Sequence, residues 1–193
     1  MKFILASQSP RRAQILKDHG FAPTIIPAHI PEILGVGESA QDYVLRLSRE
    51  KANAVLAKIT IDQDHNDTVI LAADTTVVLG ERILEKPADA AEAVAMLKAL
   101  SDTTHHVLTG YTLFFVNDKK AVSEISECVK TAVTFHTLTE KQIQDYVASG
   151  DPFDKAGAYG IQSVRDTFVQ AIDGSYYNVM GLPMEAIALH LEL

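Results

Sequence analysis

The segment Ser7-Gln8-Ser9-Pro10-Arg11-Arg12 sets two adjacent arginines where an apolar run, Phe3 to Ala6, gives way to a helix start. A strand, a tight turn and a helix N-terminus together direct backbone N–H groups at one spot, and the helix dipole favours an anion there. Arg11 and Arg12 add fixed charge and forked donors that match phosphate oxygens. Cations near a helix N-terminus oppose its dipole, a small cost that a bound anion would offset. On these residues alone, a phosphate grip and a pair of surface arginines stand level.

Asp74 interrupts the apolar stretch TVILAADTTVVL (68–79). A carboxylate in such a run is costly unless it is paired, hydrogen-bonded or metal-bound. Placed at the exposed end of a strand, it is expected to act as a metal ligand or as a general base for water. The competing reading is a capping aspartate at a strand–turn boundary. No helix follows ADTT for it to cap, so the functional reading is favoured.

Other charged residues say little singly. Lys86 precedes Pro87 in LEKP, Lys155 precedes a glycine turn in DKAG, and Lys51 ends RLSREK. Each reads as a solvated surface lysine when taken alone, and Glu32 in HIPEIL is no stronger. GVGESA (35–40) fits a dinucleotide-binding glycine pattern but lacks the clean buried strand that pattern needs, because PAHIPEIL carries two prolines. His105 and His106 are adjacent in a strand, so they point to opposite faces and cannot chelate together.

The elements that must position these groups alternate short β patterns with helical ones, which points to an α/β or mixed architecture. Ser9 caps a first helix with Pro10 at its first position and Gly20 beyond its end. Ser39 caps a second helix, about 40–57, whose apolar face is Tyr43, Val44, Leu47 and Val55, with Arg46, Arg49 and Lys51 directed elsewhere. The run 68–79 suits a strand buried on both faces. Gly80-Glu81 turns into RIL, and DAAEAVAMLKAL (89–100) is a helix. HHVLTGYTLFFV (105–116) and EISECVKTAVTFHTL (124–138) read as strands, with a turn near Asn117-Asp118. Thr139 and Gln142 form a capping box on a short helix that Gly150 ends. Residues 150–163 read as a glycine-rich loop, TFVQAI (167–172) as a last strand, and Pro183 opens a C-terminal helix.

The whole chain, 193 residues, suits one large domain or two tightly joined lobes. A formal net charge of −8 argues against a protein that coats long nucleic acid. A small anionic ligand remains open, since a pocket needs only a few local cations. The single cysteine, Cys128, excludes an internal disulfide and reads as core packing; no Cys/His cluster has zinc spacing. The N-terminal apolar run is too short for a signal peptide and no stretch is long enough to span a bilayer. The expectation is a cytoplasmic, reduced protein.

Taken in series, LASQSPRRAQIL, RLSREKA, AADTTVVL, EKPADAAEAVAMLKALS, DKAGAYGIQ and GSYYNVMGLP resemble the Maf family of nucleotide pyrophosphatases nearly end to end. The resemblance implies a single domain over 1–193 with an α/β fold like that of inosine triphosphate pyrophosphatases: a long curved mixed sheet and two lobes around a central cleft. It implies hydrolysis of a nucleoside triphosphate to the monophosphate and pyrophosphate. By position, the phosphate-binding groups would be Ser7, Arg11, Arg12, Lys51, Lys86 and Lys155. Glu32 would also line the site, and Asp74 matches the proton acceptor. A divalent cation, Mg²⁺ or Mn²⁺, is the implied cofactor, with its ligands unassigned.

The family has a group that prefers dTTP and UTP and a sibling group that prefers 7-methyl-GTP. Arg11, Thr75 and Gln162 match the first group at the three discriminating positions. The chemistry agrees for Gln162: a neutral amide offers one donor and one acceptor to the carbonyl and N3–H of uracil or thymine. SQS, LSD and IQS depart from the more usual SGS, LSG and IQG without removing a charge. The rivals implied by the resemblance are a pyrophosphatase of 7-methyl-GTP or modified nucleotides and a non-catalytic nucleotide-binding regulator of septum formation. The expected partner is a small nucleoside triphosphate, with neither nucleic acid nor membrane, and a homodimer is the assembly carried forward.

Overall fold

The computed structural model of the chain describes residues 2–59, 68–117 and 122–191. In chain order, β1 (Lys2–Leu5) leads into α1 (Pro10–Asp18), followed by β2 (Thr24–Ile25) and α2 (Ala40–Ile59). Next come β3 (Thr68–Leu79), β4 (Arg82–Leu84), α3 (Ala90–Leu100), β5 (Thr104–Val116) and β6 (Val122–Phe135). The chain continues through α4 (Glu140–Ala148), α5 (Ile161–Phe168), β7 (Val169–Asp173), α6 (Tyr176–Val179) and α7 (Met184–His190). The described strands form a seven-stranded mixed sheet in the order β2-β1-β3-β5-β6-β7, with β4 paired to β3. The chain is therefore α/β, as its alternating patterns require.

Two compact units emerge, and the long strands β3, β5 and β6 each contribute to both. The first comprises residues 1–74, 109–129 and 181–193. Here β1 runs parallel to β3, with Ile4 beside Ile70 and Leu5 beside Leu71, and β2 adds to its other edge. Ile4, Ala52, Val55, Ile70, Ala72 and Phe114 form part of its core. Gly110 lets α2 lie close on β5: a Cβ there would sit 2.5 Å from the carbonyl carbon and oxygen of Val44.

The second unit comprises residues 75–108 and 130–180. Its core gathers Leu84, Leu97, Leu100, Phe135, Val164 and Phe168. Asp89 caps α3 by accepting from the Glu92 amide, and Thr139 with Gln142 completes the expected capping box on α4. His105 is buried against Phe135 and Tyr159, while His106 on the next position is half-buried, as opposite strand faces require.

Several expectations are corrected. Residues 161–168 are helical rather than loop followed by strand, because Ile161, Val164 and Phe168 fall on one helical face and are buried together. The segment before it, 150–160, holds two short 3₁₀ turns, Asp151–Asp154 and Ala156–Ala158. Strand β6 ends at Phe135, not Leu138. Cys128 is half-buried rather than a core residue, and burial pushes its thiol up to about 11. The turn expected near Asn117-Asp118 lies outside the described residues, which stop at Asn117 and resume at Val122.

Candidate active site

The parallel pairing of β1 with β3 builds the site. Strand β1 stops at Leu5, and the Ala6 amide makes one more bond, donating to the Leu71 carbonyl at 2.8 Å. The chain then turns at Ser7 into α1, while β3 runs on through Ala73 and Asp74. The β1 terminus, the start of α1 and Asp74 therefore meet at the carboxyl end of the short strand, where open α/β sheets place their ligand groups. Asp74 is not at the end of its own strand. It is the seventh residue of the twelve in β3 and only 7% exposed.

At the turn, Ser7 Oγ accepts from the Ser9 amide at 3.1 Å, and Ser9 Oγ caps α1 by accepting from the Arg12 amide. Arg12 is buried. Its Nε donates to the Gly181 carbonyl at 2.8 Å, and its Nη1 donates to the Ala73 carbonyl at 2.8 Å and to Ser7 Oγ at 3.2 Å. Arg12 thus ties the turn, the residue before Asp74 and the segment leading to α7 into one frame. Burial pulls its guanidinium below the ordinary arginine range; Asp74 and Glu32 oppose that pull and neighbouring Arg11 adds to it.

Helix α2 supplies the next cation. Lys51 lies one helical turn after Leu47 and two after Val44, so it shares their buried stripe rather than facing solvent as its type suggests. Its Nζ donates to Asp74 Oδ1 at 2.6 Å and contacts Glu32 Oε1 at 2.5 Å. Two carboxylates thus converge on one ammonium. Together, Arg11, Arg12 and Lys51 against Glu32 and Asp74 leave a local excess of one positive charge, in a chain whose net charge is −8.

The second unit holds the remaining expected residues. Lys86 is exposed after β4, Thr75 is half-buried on β3, and Gln162 is exposed in the first turn of α5. Lys155 is buried, not solvated. Its Nζ donates to the Asp151 carbonyl, to Asp151 Oδ1 at 2.9 Å and to Asp154 Oδ1 at 2.6 Å. Burial pushes the Asp151 carboxyl up, but hydrogen bonds from Tyr146, Lys155 and Ser163 outweigh it and hold the group below the ordinary range. These residues border a cavity of about 670 Å³ with Ser149, Gly150 and Asp154.

Among the described residues, no three His, Cys, Asp or Glu side chains come together to hold a metal. The pair Glu32 and Asp74 is the acidic oxygen set at the site. Sequence reasoning missed Arg46, whose guanidinium grips the segment that carries Glu32, and Gly110, which seats α2. An isolated glycine inside a strand pattern is the signal for such close backbone approach. No described helix is long and apolar enough to cross a membrane.

The sequence model of Maf-like proteins matches residues 2–193. The chain belongs to the Maf family. Among Maf relatives, the dTTP/UTP pyrophosphatase of Koribacter versatilis is 44% identical over 187 residues, covering 97% of this chain and 91% of that one. The Pasteurella multocida protein of the same name is 45% identical, covering 97% and 94%. That of Salmonella typhimurium is 47% identical, covering 93% and 86%. Among solved structures, a nucleoside-triphosphatase (dITP/XTP pyrophosphatase) from Mycobacterium abscessus is similar to this Maf chain at a TM-score of 0.41 and 15% identity, over 100% of this chain and 94% of that one. A likeness that distant carries no argument about activity.

Proposed function

We propose that the protein hydrolyses dTTP and UTP to the nucleoside monophosphate and pyrophosphate. The observation that carries this reading is the convergence of Arg12, Glu32, Lys51 and Asp74 at the end of β1. It occurs in a chain whose relatives, at about 45% identity, are named for that reaction. In this reading a water attacks the α-phosphorus, the bond to the β-phosphate oxygen breaks, and pyrophosphate leaves. Asp74 orients the water and accepts its proton, which then passes to solvent. Ser7, Arg11, Arg12 and Lys51 hold phosphate oxygens and offset the charge that builds on the departing group. From the second unit, the resemblance adds Lys86 and Lys155 to the phosphate-binding set, and Thr75 and Gln162 to the specificity set.

Glu32 and Asp74 fit a hard divalent cation: Mg²⁺ and Mn²⁺ favour carboxylate oxygens and complete their shells with water and substrate phosphates. Bound there, the ion would supply charge neutralisation and a more acidic water. Lys51, which sits on both carboxylates, orients them toward a common point.

The test gives the purified protein, with Mg²⁺ or Mn²⁺, a panel of dTTP, UTP, CTP, purine triphosphates and 7-methyl-GTP. Pyrophosphate and orthophosphate are scored separately, with Asp74→Asn in parallel. Pyrophosphate release from dTTP and UTP that vanishes in the variant is the expected result. Binding without turnover of any nucleotide would move the protein to a binding or regulatory class.

A further inference from the structure

Glu32 reaches Lys51 from a segment that the core holds only as far as Ile30. Residues 26–39, between β2 and α2, form neither helix nor strand. Within it, Ile33, Leu34 and Val36 are exposed. Ile26, Ala28 and Ile30 pack on the core ahead of Glu32, so burial holds the chain as far as Ile30 but not the stretch that follows Glu32.

Over residues 33–38, beyond the apolar contacts, the anchors are polar and lead to one side chain. Arg46 of α2 engages Glu38 with two prongs, Nε to Oε1 at 2.7 Å and Nη2 to Oε2 at 2.8 Å. The same Nη2 donates to the carbonyl of Ile33, the residue after Glu32, at 2.9 Å. Glu38 Oε2 also accepts from the Gly35 amide at 2.9 Å, which closes the turn between them. Arg46 is itself fixed: Nη1 donates to Glu50 at 3.1 Å, and its guanidinium lies 5.7 Å over the Tyr43 ring. Helix α2 thus carries both polar anchors of residues 32–38, Arg46 on the stretch after Glu32 and Lys51 on Glu32 itself.

We propose that Arg46 is a positioning residue for the reaction, clamping residues 32–38 to α2 so that Glu32 is held on Lys51. This rests on the reading of Glu32 as part of the active site. A bidentate guanidinium–carboxylate pair sets direction as well as distance, which a lysine cannot reproduce. The Arg46 hydrogen bonds hold the Glu38 carboxyl down to about 2. The clamp is therefore complete above the ordinary carboxylate range and is lost only as the pH falls toward 2, well below any working pH.

The experiment is a double-mutant cycle on dTTP turnover with Mg²⁺, using Arg46→Ala, Arg46→Lys, Glu32→Gln and the Arg46→Ala/Glu32→Gln pair. Coupled residues in contact networks are non-additive, so Arg46→Ala is expected to lower kcat/KM about tenfold alone and less than about twofold when Glu32 is already Gln. Arg46→Lys falls between wild type and Arg46→Ala. Thermolysin cleavage within 33–37 speeds up in Arg46→Ala while the urea midpoint of the whole chain holds. Equal losses in both backgrounds, or full activity in Arg46→Ala, would overturn the proposal. Full activity in Glu32→Gln alone would remove Glu32 from the site, an outcome recognisable without any Arg46 variant, and would overturn the proposal with it.

Discussion

Lys51 Nζ lies 2.6 Å from Asp74 Oδ1, and both side chains are about nine-tenths shielded from water. Glu32, the other carboxylate on that ammonium, is far more open to solvent. The two partners of Lys51 are therefore unequal: water can replace Lys51 for Glu32 but not for Asp74. Breaking a buried ion pair from one side leaves an uncompensated charge and costs about 3–5 kcal/mol. Lys51→Met is expected to lose about that much, and adding Asp74→Asn to it should restore most of the loss. Urea unfolding of the two single variants and the double variant checks this. Turnover behaves differently: Asp74→Asn alone should lower kcat at least about a hundredfold, the usual share of a general base, and the double variant should not recover it.

Gly110 is expected to matter for both stability and rate. A methyl group there meets the Val44 carbonyl at 2.5 Å, a backbone contact that no rotamer change relieves. Val44 and Lys51 are two helical turns apart on one face of α2, so a push at Val44 also displaces the ammonium. Gly110→Ala should cost about 1–3 kcal/mol, the usual range for overpacking, and should lower kcat more than it raises KM. Thermal melting and steady-state kinetics on the same preparation test both parts.

Much of the frame around the site was readable from local chemistry. Ser9, Pro10 and Gly20 mark the bounds of α1, and the apolar run 68–79 is a strand from end to end. Taken singly, Lys51 reads as solvated because residue type outweighs spacing, and only the family resemblance draws it to the site: it sits four residues after Leu47, on the buried stripe, and its partner Asp74 lies 23 residues away in sequence. Lys155 taken singly reads as solvated for a related reason, since Asp151 and Asp154 look like solvated loop charges until the 3₁₀ turns fold them over it. Helix α5 was hidden by the preceding glycines and by β-branched residues at its end. Its Ile161, Val164 and Phe168 spacing was the correct signal. The two-residue β2 is too short for any periodicity.

His105 should make the protein acid-sensitive without any role in turnover. Its Nε2 is 2.8 Å from the Tyr159 hydroxyl, and its ring packs edge-on against Phe135 and Tyr159. Burial holds the imidazolium off and brings its pKa from the ordinary 6.5 to about 4. The unfolded chain therefore binds a proton near pH 6.5 that the folded chain refuses until about pH 4. Stability falls as the pH drops through that window, by roughly 3 kcal/mol in total at 1.36 kcal/mol per unit. Urea unfolding from pH 8 to pH 4 should show a wild-type advantage over His105→Gln that shrinks by about that amount, concentrated between those two values.

Gln162 is where base preference should be read. It is exposed in the first turn of α5, and Gly160, the residue that caps that helix, offers no side chain there. A glutamate in that turn complements the helix dipole, so Gln162→Glu should leave the unfolding midpoint nearly unchanged. Its effect on the substrate should be large. The amide presents one donor and one acceptor, which pairs with the carbonyl and N3–H of uracil and thymine; the carboxylate only accepts, which suits the donor edge of guanine and the positive charge of 7-methylguanine. A site that hydrogen-bonds its substrate discriminates strongly against a base that leaves those groups unpaired. The ratio of kcat/KM for 7-methyl-GTP to that for dTTP should therefore rise at least about tenfold in Gln162→Glu. The same nucleotide panel used for the wild type measures it, and an unchanged ratio would remove Gln162 from base recognition while leaving the Asp74 chemistry intact.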